Sequence, residues 1–513
     1  MAIIKLNRDL IKLDLMKAEV YRVFIGREQE LRFFEEKYNA PGGQMVVLYG
    51  RRRIGKTELL YKFCEDKPHV FYSCREISDT EQLKAFSGRV LRSGSPAAKY
   101  ISVFESWEAV FKGLLELPMD GKKKLLVIDE FPYMCRDNPS IPSILQILWD
   151  ETFRNENIMI VLCGSAMSFI EKKVLSEKSP LYGRATGIYK MNELPFNDAI
   201  KFFPEYSDED KMLAYSVLGG IPHYLRQFDP KLPLRDNIIR NVLTKGCVLY
   251  SEVEFLIRQE LREPAMYNTI IEAVALGNTA LNDIYTKTQL DKVKISVYLK
   301  NLMELQIVER EFSVLSGVKE QAASSRGLYR ITDNFFRFWF SFVFTNISDL
   351  ETGDAVGVYT HEVEPKLNDF APPVFETVCR EFIRNKNQLG ELNFRIAKLG
   401  RWWGKLNKSV TTEEGKTKQV AYDSEIDILA VDSKTKNYIL GECKFRNSDF
   451  DMQDYKNLKE KSSLIKQEAN IQYVLFSKSG FTDALISEAE NDSYLSLFTI
   501  TDIVRWQRLG QDQ

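Results

Sequence analysis

Residues Gly50-Arg51-Arg52-Arg53-Ile54-Gly55-Lys56-Thr57 read G-x-x-x-x-G-K-T, a spacing whose backbone N–H groups cradle a polyphosphate. In such a loop Lys56 reaches the β- and γ-phosphates and the Thr57 hydroxyl binds Mg²⁺. The flanks suit that role. Residues 45–49 form a short apolar run, and the stretch from Glu58 to Phe63 opens a helix whose positive end faces the anion. A second set of residues agrees with the first. Leu125-Leu126-Val127-Ile128 is an apolar strand that ends in Asp129-Glu130. Asp129 is placed to hold Mg²⁺, and Glu130 to orient or deprotonate an attacking water. Together these residues imply binding of ATP or GTP followed by hydrolysis; an acidic turn after a core strand is the plainer alternative for the second set.

A different chemistry is spelled near the C-terminus. Residues 423–431 and 438–444 read as two strands joined by the polar turn 432–437. Residues two apart on a strand share a face, so Glu442 and Lys444 point one way and Cys443 the other. Asp427 on the neighbouring strand can meet them. Two carboxylates and a lysine at a strand edge can hold Mg²⁺ or Mn²⁺ and activate a water. A hairpin bearing ordinary surface charges has the same letters. Just upstream, Arg395, Lys398, Arg401, Trp402, Trp403, Lys405 and Lys408 interleave cations with aromatics. That segment suits backbone tracking and base stacking on nucleic acid, or a solvated loop around a tryptophan pair.

The elements that must carry these residues follow from pattern. At 513 residues the chain exceeds what one core normally supports, so several domains are expected. From about residue 21 to 255, apolar strands alternate with amphipathic stretches, the pattern of an α/β sheet. Residues 70–74 and 158–163 add strands, the latter running into Gly164-Ser165-Ala166. Ser165 at that strand end is a candidate γ-phosphate sensor, with a strand-to-helix cap as the simpler role. Residues 267–330 read as three helices and a hairpin, and look like a winged helix-turn-helix. Lys292, Ser296 and Lys300 lie at i, i+4 and i+8 and so share the outer face of the third helix. Such a helix can enter a major groove, although winged helices also serve as protein-docking or lid modules.

Composition narrows the rest. The net charge of −2 gives no global pull toward nucleic acid, so any basic surface must be local. Seven scattered cysteines without a C-x-x-C pair suit reduced core positions in a cytoplasmic protein. Three distant histidines argue against a zinc site. The opening stretch at 1–9 lacks the apolar core of a signal peptide. The most apolar run, 335–344, is half a bilayer span and holds Arg337, so no membrane contact is expected.

Several motifs resemble known families. Phe24-Ile25-Gly26-Arg27-Glu28-Gln29-Glu30-Leu31 resembles the adenine-side box of AAA+-type ATPases. With the loop at 50–57, Leu162-Cys163-Gly164-Ser165, Pro180-Leu181-Tyr182-Gly183-Arg184 and Gly219-Gly220-Ile221-Pro222, the chain resembles the archaeal-type ATPases of the STAND branch. That resemblance implies ATP rather than GTP, held by Ile25, Gly26 and the loop 50–58, with Pro222 in a helical lid near the base and ribose. It also implies that Arg184 contacts phosphates in its own or a neighbouring subunit of a homo-oligomer. The spacing Asp427-x14-Glu442-x-Lys444 resembles the PD-(D/E)XK nuclease superfamily, with Ile426 where the name has proline. Glu376 matches the extra acidic residue that many members carry on a preceding helix. The expected architecture is therefore α/β: a P-loop NTPase core of the AAA+ kind (1–195), a helical lid (196–263), a winged helix-turn-helix (264–345) and a restriction-endonuclease-like domain (346–513). The implied activity is Mg²⁺-dependent ATP hydrolysis coupled to DNA binding and metal-dependent cleavage. A nucleotide-switched regulator with an inert nuclease-like domain, and an ATPase that remodels a protein partner, remain open on the same residues.

Overall fold

The computed structural model describes residues 24–506, apart from 119–120, 318–320, 322–326, 412–416 and 466–468. The opening stretch at 1–9, the expected domain start near residue 21, much of the hairpin loop and the side chain of Lys408 lie outside what is described. The chain divides into two compact units, Met1–Ala199 with Gly220–Arg226, and Ile200–Gly219 with Gln227–Gln513.

In the first unit five strands form one parallel sheet. They are β1 (Gln44–Tyr49), β2 (His69–Ser73), β3 (Lys124–Asp129), β4 (Ile158–Gly164) and β5 (Gly187–Lys190), in the order β2-β3-β4-β1-β5. Every residue of β1 and β4 is buried, as expected for strands covered on both faces and therefore written as unbroken apolar runs. Because all five run the same way, the segments that leave β1, β3 and β4 emerge along one edge, where ligands of such sheets bind. The loop from β1 turns into the helix Lys56–Cys64 through Gly55, whose φ of 90° favours glycine. Gly50 has no room for a side chain, since a Cβ there would stand 2.3 Å from the Met191 carbonyl oxygen.

Residues 220–226, expected within a lid, belong to this first unit. The Leu194 N–H donates to the Gly220 carbonyl at 2.8 Å. The backbones pass so closely that a Cβ on Gly220 would stand 1.9 Å from the Leu194 oxygen. This crossing delivers Pro222 to 3.9 Å from the position of a Cβ on Gly55, and Arg226 to 3.5 Å from Glu58.

The second unit holds two further layers of interest. Helices Pro264–Ala275, Leu281–Thr288 and Lys292–Glu304 precede an antiparallel hairpin of β6 (Val308–Glu311) and β7 (Leu328–Ile331). Lys292, Ser296 and Lys300 are all exposed. The apolar run 335–344 folds into buried helical turns, and Trp339 Nε1 donates to the Tyr250 carbonyl at 2.7 Å. Among the described residues no helix is long and apolar enough to cross a membrane.

A mixed sheet follows, built from β8 (Lys398–Thr411), β9 (Thr417–Val431), β10 (Asn437–Lys444), β11 (Asn470–Ser477) and β12 (Leu495–Thr499) in the order β12-β11-β10-β9-β8. β8, β9 and β10 form an antiparallel meander, while β10, β11 and β12 run parallel. The helix Pro372–Leu389 precedes this sheet and Met452–Lys461 connects β10 to β11. The cation–aromatic segment around Trp402 is thus the edge strand β8, not a loop. Its alternation is the period of a strand with one buried face, and Trp402 is the buried member of the pair.

The crossing of Gly220 against Leu194 gives a direct test of this arrangement. Gly220→Ala forces backbone apart and should cost about 2 kcal/mol or more, lowering the midpoint of thermal unfolding by about 4 °C or more. An unchanged midpoint by calorimetry contradicts the close approach.

Candidate functional site

The first site is assembled where β1, β3 and β4 end. Thr57 Oγ1 donates to Asp129 Oδ2 at 2.9 Å, joining the helix after β1 to the last residue of β3. Lys56 is buried and donates from Nζ to the Gly50 carbonyl at 2.9 Å and the Arg51 carbonyl at 2.7 Å. Burial pulls its ammonium below the ordinary lysine range, opposed by Cys163, Glu130 and Asp129 nearby. Glu130 leaves the strand in the left-handed region, with φ of 51°, and its N–H donates to Asp129 Oδ1 at 3.0 Å. Its own carboxylate turns toward β4, where Oε2 accepts from Ser165 Oγ at 3.0 Å and more weakly from the Ser165 N–H at 3.4 Å. Gly164 makes that approach possible, since a Cβ there would stand 2.8 Å from the Pro132 ring.

Two hard oxygen donors, Thr57 and Asp129, thus share one point, a donor set that suits Mg²⁺. The remaining expected residues fall into two groups. Gly26 and Arg27 take left-handed conformations ahead of the helix Glu28–Asn39, beside half-buried Ile25. Arg27, absent from the sequence-derived set, is buried and donates to the Ile54 carbonyl at 3.0 Å, tying this box to the phosphate loop. Arg51, Arg52 and Arg53 are half-buried on the loop, and Glu58 meets Arg226. Arg184 is engaged elsewhere. Its fork grips Asp150 on the helix Ile141–Glu151 at 2.7–3.1 Å and the Pro180 carbonyl at 2.9 Å. Cys163 was not legible as a site residue. Complete burial pushes its thiol well above the ordinary range, so it stays protonated, with hydrogen-bond contact to Asp129.

The second site lies on the mixed sheet. Antiparallel register pairs Gly441 with Ile428, which sets Glu442 beside Asp427. The Cys443 N–H donates to Asp427 Oδ2 at 2.9 Å. Glu442 accepts from Lys444 at 2.7 Å on Oε1 and from Lys461 at 2.8 Å on Oε2. Glu376, on the helix Pro372–Leu389, meets Arg380 at 3.6 Å and Arg401 at 3.5 Å. Arg401 sits at an irregularity in β8 between Gly400 and Trp402, the kind of bulge that re-aims a side chain. It also reaches Glu311 at 3.4 Å and Glu425 at 3.3 Å, and its carbonyl accepts from the Val314 N–H at 2.8 Å.

Each of the expected ligand residues is therefore occupied by the chain itself. Among the described residues no three His, Cys, Asp or Glu side chains are grouped to hold a metal ion. The reason is local: each carboxylate of the Glu376, Asp427 and Glu442 set turns to its own cation or amide. Lys461 and Arg380 arrive from helices with no fixed spacing from the motif, and Arg401 is legible only as a member of the cation–aromatic segment, not as a partner of Glu376.

Electrostatics separate the three acids. Burial, then the charges of Glu376 and Glu442, raise the Asp427 carboxyl from 3.8 to about 7. Burial likewise raises Glu376 against the pull of Arg401 and Arg380. At Glu442 burial also pushes upward, yet Lys461 and Lys444 outweigh it and hold the carboxyl low. For Asp427 the folded chain keeps a proton that the unfolded chain has released. Its contribution to stability is complete below about pH 4 and is lost as pH rises through about 7. Melting the protein between about pH 4 and 7 should show wild type losing stability that Asp427→Asn retains. Parallel curves contradict the buried, proton-holding carboxyl.

Comparison with known proteins agrees with the first site. Residues 24–228 match a family model described as an ATPase domain predominantly from Archaea. Residues 339–460 match a second, described as archaeal and bacterial proteins of unknown function. An uncharacterized protein of Methanocaldococcus jannaschii is 34% identical over 446 residues, 86% of this chain and 92% of that protein. Among solved structures, the Walker-type ATPase of Pyrococcus abyssi is 22% identical, covers 62% of this chain and 96% of its own, and has a TM-score of 0.46. The ORC2 protein of Aeropyrum pernix is 13% identical, with 65% and 96% covered and a TM-score of 0.39. Neither structural likeness is close enough to carry function. The full-length relative and the domain match place the chain in this archaeal ATPase family, and residues 24–228 are its ATP-binding ATPase domain.

Proposed function

We propose that the chain hydrolyses ATP at the loop 50–57 with Mg²⁺ held by Thr57 and Asp129, and that the helices and hairpin of 264–345 and the sheet of 346–513 act on DNA as a winged helix and a nuclease-like domain. The observation that carries the first part is the 2.9 Å contact of Thr57 with Asp129, with Glu130 set beside it. Bound Mg²⁺ would neutralise charge on the phosphates. Lys56 supplies a buried positive charge at the same place, where low dielectric strengthens it. Glu130 accepts the proton of the attacking water once its carboxylate leaves Ser165 (a neutral hydroxyl that water can replace). Ile25, Gly26 and Pro222 are proposed on the base side. Arg184 is proposed to act only after release from Asp150, in its own subunit or a second copy.

For the second part, support comes from Asp427, Glu442 and Lys444 meeting on adjacent strands, ahead of which the helix Pro372–Leu389 carries Glu376. The helix–meander–helix–strand order also suits a nuclease-like fold. Lys292, Ser296 and Lys300 offer an exposed face to a duplex. One observation favours a second reading. Because chain cations already pair with Glu376 and Glu442, a nucleotide-switched module that binds DNA and cuts nothing is the alternative.

Two experiments test these roles. In an ATP turnover assay with Mg²⁺, Glu130→Gln should lower kcat by about 10²-fold or more, and Lys56→Ala by a similar factor. Unaltered turnover in both rejects the catalytic assignment. Incubation with supercoiled and linear DNA, Mg²⁺ or Mn²⁺, with and without ATP, should give cleavage that Lys444→Ala abolishes. Absence of cleavage with ATP turnover intact favours the switched module.

A further inference from the structure

Both oxygens of Glu442 are taken by ammonium groups of its own chain, Lys444 on one and Lys461 on the other. Lys444 belongs to the strand motif. Lys461 arrives independently, as the last residue of the helix Met452–Lys461, and its side chain is only 18% exposed. Two positive charges on one largely buried carboxylate exceed what that carboxylate needs. They equal the charge that a divalent cation brings to such a site. The neighbouring acids are held in the same manner, Asp427 by the Cys443 amide and Glu376 by Arg380 and Arg401. A cation approaching Glu442 must therefore displace an ammonium first.

Lys461 is the group built to leave. An ammonium is a compact charge on a flexible stem with three donors, so it can move from carboxylate to phosphate without losing its hydrogen bonds. The helix that carries it is anchored at the far end by a capping box, Asp451 accepting from Gln453 and Asp454 at 2.8 and 2.9 Å. Lys461 sits at the other end, where the helix terminus favours a cation. Lys444 is two residues from Glu442 on the same strand.

We infer that Lys461 is an anion-released latch: it holds Glu442 until a substrate phosphodiester draws its ammonium away, and only then does Glu442 become available to a divalent cation beside Asp427. Metal and phosphodiester then bind cooperatively, each raising the affinity of the other as linkage requires. This inference rests on reading the C-terminal sheet as a phosphodiester site.

The test is Mn²⁺ titration of the full chain without nucleotide, followed by calorimetry, with Asp427→Asn subtracted to isolate this site. Thymidine 3′,5′-bisphosphate serves as the nucleotide-like anion and inorganic phosphate as the simple one. Wild type should bind Mn²⁺ about tenfold more tightly when the bisphosphate is present, the scale on which groups paired to metal ligands move affinity. Lys461→Met should show that gain without any anion and nothing further with it. Lys461→Arg, which keeps the charge, should restore anion dependence. A gain with inorganic phosphate equal to that with the bisphosphate supports the latch and assigns it to phosphate alone. Unchanged circular dichroism and cooperative thermal unfolding confirm that the variants fold. If wild type alone binds Mn²⁺ as tightly as Lys461→Met, the latch is wrong while the metal site stands. If no protein shows Asp427-dependent Mn²⁺ binding under any condition, the site reading fails and the latch with it.

Discussion

The hydrogen bond from Thr57 to Asp129 ties together everything the first unit does. Thr57 follows β1 and Asp129 ends β3, and the sheet order places β4 between those strands. Contact across that gap requires all three strands to be parallel and to end at nearly the same height. It also requires the Gly50 and Gly55 positions to let the loop fold back over the sheet edge. Once those conditions hold, the end of β4 is necessarily near, and Ser165 meets Glu130. The chemistry of the site is thus a consequence of strand order and register more than of any one side chain.

Buried charge imposes a second constraint. A carboxylate removed from water is costly unless it is paired or protonated, and the two sites meet that cost differently. Around the phosphate loop the Thr57 and Ser165 hydroxyls and the Glu130 amide donate to the acids. On the mixed sheet three acids crowd together, and the outcome is uneven. Glu442 is held ionised by two lysines, Glu376 is paired with arginines, and Asp427 is pushed toward retaining its proton. Arg401 reaches this group because β8 is irregular next to it, so the irregularity is part of the site.

Much of this was legible in the residues. Unbroken apolar runs marked β1, β3 and β4, since strands covered on both faces admit little else. The order of three helices and a hairpin over 267–330 followed from period. What escaped had long-range causes. The return of 220–226 to the first unit depends on a backbone crossing at Gly220, which no local pattern announces. The cation-rich segment at 398–408 carried the letters of a nucleic-acid segment and of a solvated loop alike, and its place as a strand follows only from pairing with β9. Lys461 is seventeen residues beyond Lys444, on a helix whose docking angle is set by packing.

A common device appears at both sites, with different consequences. In each, an acid assigned to the chemistry is held by a polar neighbour: Glu130 by the Ser165 hydroxyl and Glu442 by the Lys461 ammonium. A hydroxyl is neutral, so water replaces it at little cost, and Glu130 can turn to its task with only a small rearrangement. An ammonium paired to a largely buried carboxylate is different, because removing it strands a charge in low dielectric. That removal becomes favourable only when another anion receives the lysine and another cation reaches the acid. The first site is therefore arranged to act whenever its substrate is in place. At the second, the Lys461–Glu442 pair must open before any cation can reach that carboxylate.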